Sequence, residues 1–219
     1  MTPGAVVFDL WQTLAVWPQE ASRELYRAMA AQLGVEEEAF ASAWLARRGR
    51  RDEGRVRDSF VAVCEDLGIA DPDLDALLRL RLAFHRRHLV PRPDALPTLG
   101  LLRSRGACIG LISVCSEEVE QLWEETALAP YFDAVVLSCS VGLTKPDPRI
   151  YLLVCDRLGV EPGDCVFVGD GANDELPGAE RVGMRAVQLR IPGEPLAPEG
   201  ERWEGESVAS LSELPEGLA

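Results

Sequence analysis

From residue 94 to residue 190 the sequence alternates short apolar runs with amphipathic stretches, and few architectures accommodate that alternation. Residues 107–113, 134–137, 165–168 and 185–190 read as strands, and the stretches near 95–105, 116–127, 147–158 and 175–182 read as helices. Strands regularly separated by helices make a parallel sheet with crossover connections. A further apolar run, Ala-Val-Val-Phe at residues 5–8, stops at Asp9. Such a run without polar interruption suits a strand buried on both faces. Between this first strand and the rest lie four helical patterns, at 19–33, 36–48, 56–67 and from Asp71-Pro72 to about His88, with no strand among them. Residues 1–14 and 93–219 therefore read as one α/β core, and residues 15–92 as an all-helical insert. Residues 192–206 are rich in Gly, Pro and Glu and read as a surface loop. Residues 207–218 read as a short strand and a helical turn.

Charge separates the same two regions. Residues 15–92 carry 13 basic and 13 acidic side chains, so the net charge of −14 resides wholly in the remainder. That balance excludes general nucleic-acid binding, which requires a basic face. No stretch approaches the ~20 apolar residues of a membrane span, and the N-terminus has no secretory pattern. A cytoplasmic protein, monomer or homodimer, is expected. The six cysteines (64, 108, 115, 139, 155 and 165) form no Cys-x-x-Cys pair and are expected to be buried reduced thiols.

Three of the expected strands end in polar residues: Asp9, Ser113 and Asp170. Open α/β sheets bind ligands at the carboxyl ends of their strands. Asp9 alone also fits an ordinary turn, but Thr13 follows it by four residues, close enough to share a site. Asp174 lies in the same strand-to-helix turn as Asp170. Of the 22 basic residues only one, Lys145, is a lysine, and it stands in the loop Thr-Lys-Pro-Asp-Pro before a helix. A site that needs a compact ammonium does not accept arginine in its place. Carboxylates gathered with an ammonium and hydroxyls suit an anionic small-molecule substrate such as a phosphate, together with a hard cation such as Mg²⁺.

Four segments in this order resemble the motifs of the haloacid dehalogenase (HAD) superfamily: Asp9-Leu-Trp-Gln-Thr13, Ser113 after Leu-Ile, Lys145 in Thr-Lys-Pro-Asp-Pro, and Gly169-Asp170-Gly-Ala-Asn-Asp174. The resemblance spans nearly the whole chain and implies a Rossmann-like core with a helical cap inserted after the first motif. It implies that Asp9 is a nucleophile forming an aspartyl intermediate. It further implies that Thr13, Ser113 and Lys145 are catalytic and hold the transferred group, with Val114 beside them in the substrate site. Asp9, the backbone carbonyl of Trp11 and Asp170, assisted by Asp174, would hold Mg²⁺.

Family phosphatases carry a second Asp, a general acid and base, at the position of Trp11 here. An indole cannot transfer that proton, which is worth ~10²–10⁴-fold in rate. The resemblance thus leaves three functions open. The first is a Mg²⁺-dependent phosphohydrolase of reduced or specialised activity. The second is a 2-haloacid dehalogenase-like hydrolase, whose relatives carry an aromatic at that position, need no metal and usually have Asn where Val114 stands. The third is a low-turnover binding or regulatory relative.

Arginines 47, 48, 50, 51, 55 and 57 read as a solvated charged face, since Asp52, Glu53 and Asp58 are interleaved; the sharper reading points one or two of them at an anionic substrate. His85 and His88 are expected at the surface, with standing in for the missing acid as the alternative. Trp17 and Trp44 are expected in cap packing, and Arg149 and Tyr151 in structural roles.

Overall fold

A computed structural model of the chain describes residues 4–214, so the end of the helical turn expected up to residue 218 lies outside the described residues. In chain order the elements begin with β1 (Ala5–Phe8), α1 (Gln19–Leu33), α2 (Glu37–Leu45), α3 (Arg48–Asp52), α4 (Val56–Asp66) and α5 (Leu74–His88). They continue with α6 (Ala95–Ser104), β2 (Cys108–Ser113), α7 (Glu117–Leu122), β3 (Ala134–Leu137), α8 (Ser138–Val141) and α9 (Pro148–Leu158). The chain then forms β4 (Cys165–Gly169), α10 (Glu175–Arg181), β5 (Arg185–Leu189), α11 (Pro198–Glu201) and β6 (Ser207–Val208). No described helix is long and apolar enough to cross a membrane.

The six strands form one parallel sheet in the order β3-β2-β1-β4-β5-β6. Its two faces are read directly from the side-chain alternation of β1. Val6 and Phe8 join one buried cluster, with Ile109, Leu111, Val166 and Val168, against Leu99 and Leu102 of α6 and Val119 and Leu122 of α7. Ala5 and Val7 join the other, with Phe167 and Val136, against Ile150 and Val154 of α9 and Leu176 and Ala179 of α10. Each fully buried aromatic or branched side chain contributes roughly 1.5–3 kcal/mol, and the double burial explains why the run is unbroken. Gly110 lets α9 lie close, since a Cβ there would sit 2.9 Å from Val154. Because β2 and β3 extend from β1 on one side and β4 to β6 on the other, the chain reverses direction at β1. The crevice beyond the carboxyl ends at such a reversal is where ligands bind.

Residues 19–88 contain helices only, with their own buried cluster of Leu25, Met29, Phe40, Trp44, Val56, Phe60, Val63, Leu77 and Phe84. The single helix expected over 36–48 is broken after Leu45, and the short α3 turns across the arginine cluster. Ala15 bridges Pro91 and Trp11, and Arg92 donates its backbone N–H to Leu14 O. The Arg92 guanidinium reaches Gln12 O (3.0 Å) and both carboxylate oxygens of Glu194. Arg92 therefore binds the two connecting segments to the loop that follows β5.

One buried ion pair fastens this helical segment to the sheet. Arg81 of α5 donates to Glu118 of α7 and to Ser116 Oγ (2.9 Å), and both charged side chains are at most 5% exposed. An exposed ion pair between Arg86 and Glu125 and a partly buried hydrogen bond from Val56 N to Glu117 join it. Burial alone would raise the Glu118 carboxyl, but Arg81 outweighs it and pulls the group down to about 2. A carboxyl lowered in the folded state contributes stability above its ordinary 4.5, and that contribution is lost as pH falls towards 2. Glu118→Gln leaves Arg81 buried without its partner and is expected to cost about 3–5 kcal/mol at neutral pH. Urea titrations should also show that the variant lacks the part of the parent's stability loss that falls between pH 4.5 and 2.

Candidate active site

β1, β2 and β4 end side by side at the crevice. Asp9 follows β1, Ser113 is the last residue of β2, and Asp170 follows β4. Asp9 is held by its backbone N–H, which donates to Val168 O (2.8 Å). Lys145 is brought in from the loop before α9, where Asp147 caps the helix by accepting from Arg149 N (2.9 Å) and Pro148 fills its first position. The Lys145 ammonium is buried between Asp9 Oδ1 (2.5 Å) and the carboxylate of Glu175. Burial alone would pull this ammonium down, but Asp9 and Glu175 overcome it and hold the group charged. The one lysine of the chain thus stands at a buried position between two carboxylates.

Glu175 is the residue the sequence reading missed. Its Oε1 accepts from Gly171 N (2.9 Å), and Tyr151 Oη donates to its backbone carbonyl (2.9 Å). A Cβ on Gly169 would run into its carboxylate. Asp9, Asp170 and Glu175 are all buried, and each offers an oxygen within 4.8 Å of the others. Asp174, expected beside Asp170, is instead turned outward. Its backbone and that of Asn173 take positive φ (50° and 57°), and its 55%-exposed carboxylate faces Arg202 at 3.6 Å. That kink hands the inward position to the next residue. Asp170 is steadied by Gln188 Nε2, which donates to its backbone carbonyl (2.9 Å) and to Gly200 O (2.7 Å). Burial pushes both Glu175 and Asp170 up from the ordinary carboxylate range, and the neighbouring acids add to the push.

Thr13 and Ser113 are fully buried, and among the described residues neither hydroxyl has a hydrogen-bond partner. Trp11 and Val114 line the cavity with Asp9, Lys145, Asp170 and Glu175. This cavity is about 440 Å³ and is roofed from the helical segment by Trp17, Tyr26, Trp44, Arg48, Arg51, Arg81 and His85.

Several roof residues depart from expectation. His85 is buried, not on the surface; its ring lies 6.2 Å from that of Trp11 and 5.9 Å from that of Trp17, and its Nδ1 is 3.0 Å from Arg81 O. Burial and the charge of Arg81 pull it down to about 4, so it is neutral at neutral pH. The periodicity of α5 held the signal, because Leu77, Arg81, Phe84 and His85 share its buried face. His88 is half-buried against Phe84 (4.8 Å). Trp44 packs on Phe60 (4.6 Å) as expected, yet it also walls the cavity. Arg47 and Arg57 pair with Asp66 and Asp75, as a solvated face would, whereas Arg51 is turned inward. All six cysteines are free thiols, four buried and two half-buried.

Known proteins match this architecture. The profile of haloacid dehalogenase-like hydrolases matches residues 3–183. Glyceraldehyde 3-phosphate phosphatase of Methanopyrus kandleri is 35% identical over 127 residues, covering 55% of this chain and only 54% of that protein. (S)-2-haloacid dehalogenase 1 of a Pseudomonas species is 30% identical over 174 residues, covering 75% of this chain and 74% of that one. The crystal structure of a 2-haloacid dehalogenase from Pseudomonas syringae superposes with a TM-score of 0.75 at 27% identity, covering 100% of this chain and 98% of that chain. The α/β sheet, the four motifs at its carboxyl edge and these likenesses agree: the chain belongs to the haloacid dehalogenase-like hydrolase family.

Proposed function

We propose that this hydrolase is a Mg²⁺-dependent phosphohydrolase that transfers the phosphoryl group of a small phosphorylated anion to Asp9 and then to water. One observation carries the reading: three buried carboxylates, Asp9, Asp170 and Glu175, share a single ammonium, that of Lys145. Ionised together they leave a net charge of −2 in a closed site, which a divalent cation with oxygen ligands offsets. Asp9, Asp170 and Glu175 would hold the ion, with the carbonyl of Trp11 as a further ligand, and the ion would supply charge neutralisation for the phosphoryl oxygens. Asp174 is left out of this set because its carboxylate faces Arg202.

The chain's own groups do the rest. An Asp9 oxygen attacks phosphorus as the leaving oxygen departs in line. Lys145, in direct contact with Asp9, offsets charge on the transferred group. The unpartnered hydroxyls of Thr13 and Ser113 are available to donate to its oxygens. Trp11 supplies no proton, so leaving groups that need none, aryl and acyl phosphates, are favoured. The helical segment acts as the cap that closes over the substrate, and the residues 15–92 form it.

A second reading has its own support. The wall that lacks an acid is aromatic, with Trp11 against Trp17 at 4.9 Å, and (S)-2-haloacid dehalogenase 1 is among the relatives. There Asp9 would displace halide from carbon and form an ester.

Phosphate release from para-nitrophenyl phosphate and acetyl phosphate, abolished by chelation, is the expected result. Halide release from 2-chloropropanoate in chelator, with no phosphate released from either ester, replaces the first reading with the second. Saturating Mg²⁺, at about a hundred times its Kd, should stabilise the protein by about 2.7 kcal/mol and raise the thermal midpoint by several degrees. Glu175→Gln should lose most of that rise and Asp174→Asn should keep it; the reverse pattern assigns the ligand to Asp174. Trp11→Asp should raise kcat/KM for alkyl phosphates over aryl ones by ~10²-fold, the lower end of general acid–base help. Equal gains on both would remove the missing acid as the cause.

A further inference from the structure

The cavity roof holds a buried cation that makes no direct ion pair among the described residues. Arg51 is 6% exposed, and its guanidinium lies 4.0 Å over the Trp44 ring and donates to the Trp44 carbonyl. The other cavity cations are matched. Arg48 faces Asp52 at 3.4 Å, Arg81 pairs with Glu118, and Lys145 pairs with Asp9 and Glu175. Among the described residues no carboxylate lies within salt-bridge distance of Arg51. Burial and the nearby charge of Arg81 pull its guanidinium down to about 10 against the opposing charge of Asp52, which itself pairs with Arg48. A buried charge without a partner is costly, and this one borders a cavity large enough to admit an anion.

We propose that Arg51 is a substrate-binding residue that receives a carboxylate at the end of the substrate remote from the phosphoryl group, so that preferred substrates are small phosphorylated carboxylic acids. This rests on the phosphohydrolase reading for the phosphoryl end alone. The charge count selects the tail. Arg48, Arg51 and Arg81 against Asp52 and Glu118 leave one unit of positive charge at the roof, which a carboxylate balances and a second phosphate, with its greater charge, does not. The guanidinium fork suits a carboxylate in two parallel hydrogen bonds. Stacking on Trp44 fixes its plane before the ligand arrives. The cavity is then bipolar: acids and a metal take the phosphoryl group at the sheet edge, and Arg51 takes the tail.

The test uses ligands that differ only in the tail. Phosphonoacetate and ethylphosphonate, which carry no hydrolysable phosphate ester, are titrated calorimetrically into the protein at fixed free Mg²⁺. The parent should bind phosphonoacetate about 10- to 100-fold more tightly, the range of a hydrogen-bonded charge pair. Arg51→Gln should bring that ratio near one, and Arg51→Lys should keep part of it. Turnover of 2-phosphoglycolate against ethyl phosphate should show the same ratio in kcat/KM and the same order among the variants. A parent without preference overturns the proposal, and so does a folded Arg51→Gln protein whose preference is intact, the result expected if Arg51 serves packing on Trp44 alone. Should Arg51→Gln fail to fold, the parent ratio and Arg51→Lys decide. Preferential binding without phosphate release from any ester would strike the hydrolase reading while leaving the carboxylate site standing.

Discussion

Everything at the carboxyl edge of the sheet depends on one ammonium placed among three buried carboxylates. Like charges gathered away from water repel strongly, and burial penalises each of them further. Lys145 between Asp9 and Glu175 offsets part of that cost, and the backbone offsets more. Gly171 N donates to Glu175, and Asp170 accepts from Ala172 N. Tyr151 and Gln188 act at one remove by fixing the carbonyls of Glu175 and Asp170. Even the absence of a side chain contributes, since Gly169 leaves the space that the Glu175 carboxylate occupies. The charge still unmatched by Lys145 is what the proposed divalent cation would offset.

The second constraint comes from the helical segment, which roofs the sheet edge and makes it a cavity. It is fastened by Arg81 to Glu118 on one side and at its root by Arg92, which ties both connecting segments to Glu194. Enclosure strengthens every electrostatic interaction inside. It also brings Trp17 and His85 against Trp11 over the crevice. The floor gathers the motif residues at the strand ends, and the helical segment adds an aromatic roof with the Arg51 guanidinium over Trp44. Function in such a fold resides in the pairing of the two.

The α/β core and its edge were legible because their signals are local. Residues 5–8 are uniformly apolar since the sheet buries both of their faces, and the polar residues that end β1, β2 and β4 mark the crevice wherever the strands are ordered in parallel. The all-helical character of residues 19–88 followed from uninterrupted helical periodicity, although the break between α2 and α3 left no clear mark. The lone lysine was informative for a chemical reason, as the enclosed position between Asp9 and Glu175 admits an ammonium.

What the sequence by itself determined, then, is the order of strands and helices, the family motifs and the acids that end the strands, because each follows from periodicity or from a short segment. The tertiary structure alone decided which of two adjacent acids faces the site. A left-handed kink at Asn173 and Asp174 turns Asp174 to Arg202 and Glu175 to Lys145, and nothing in Asn-Asp-Glu specifies that rotation. It also decided that His85 is buried and neutral, and that Arg51 is turned inward while Arg47 and Arg57 pair with Asp66 and Asp75. Those outcomes depend on how the helical segment packs against the sheet, and contacts between residues distant in the chain leave no mark in the sequence around any one of them.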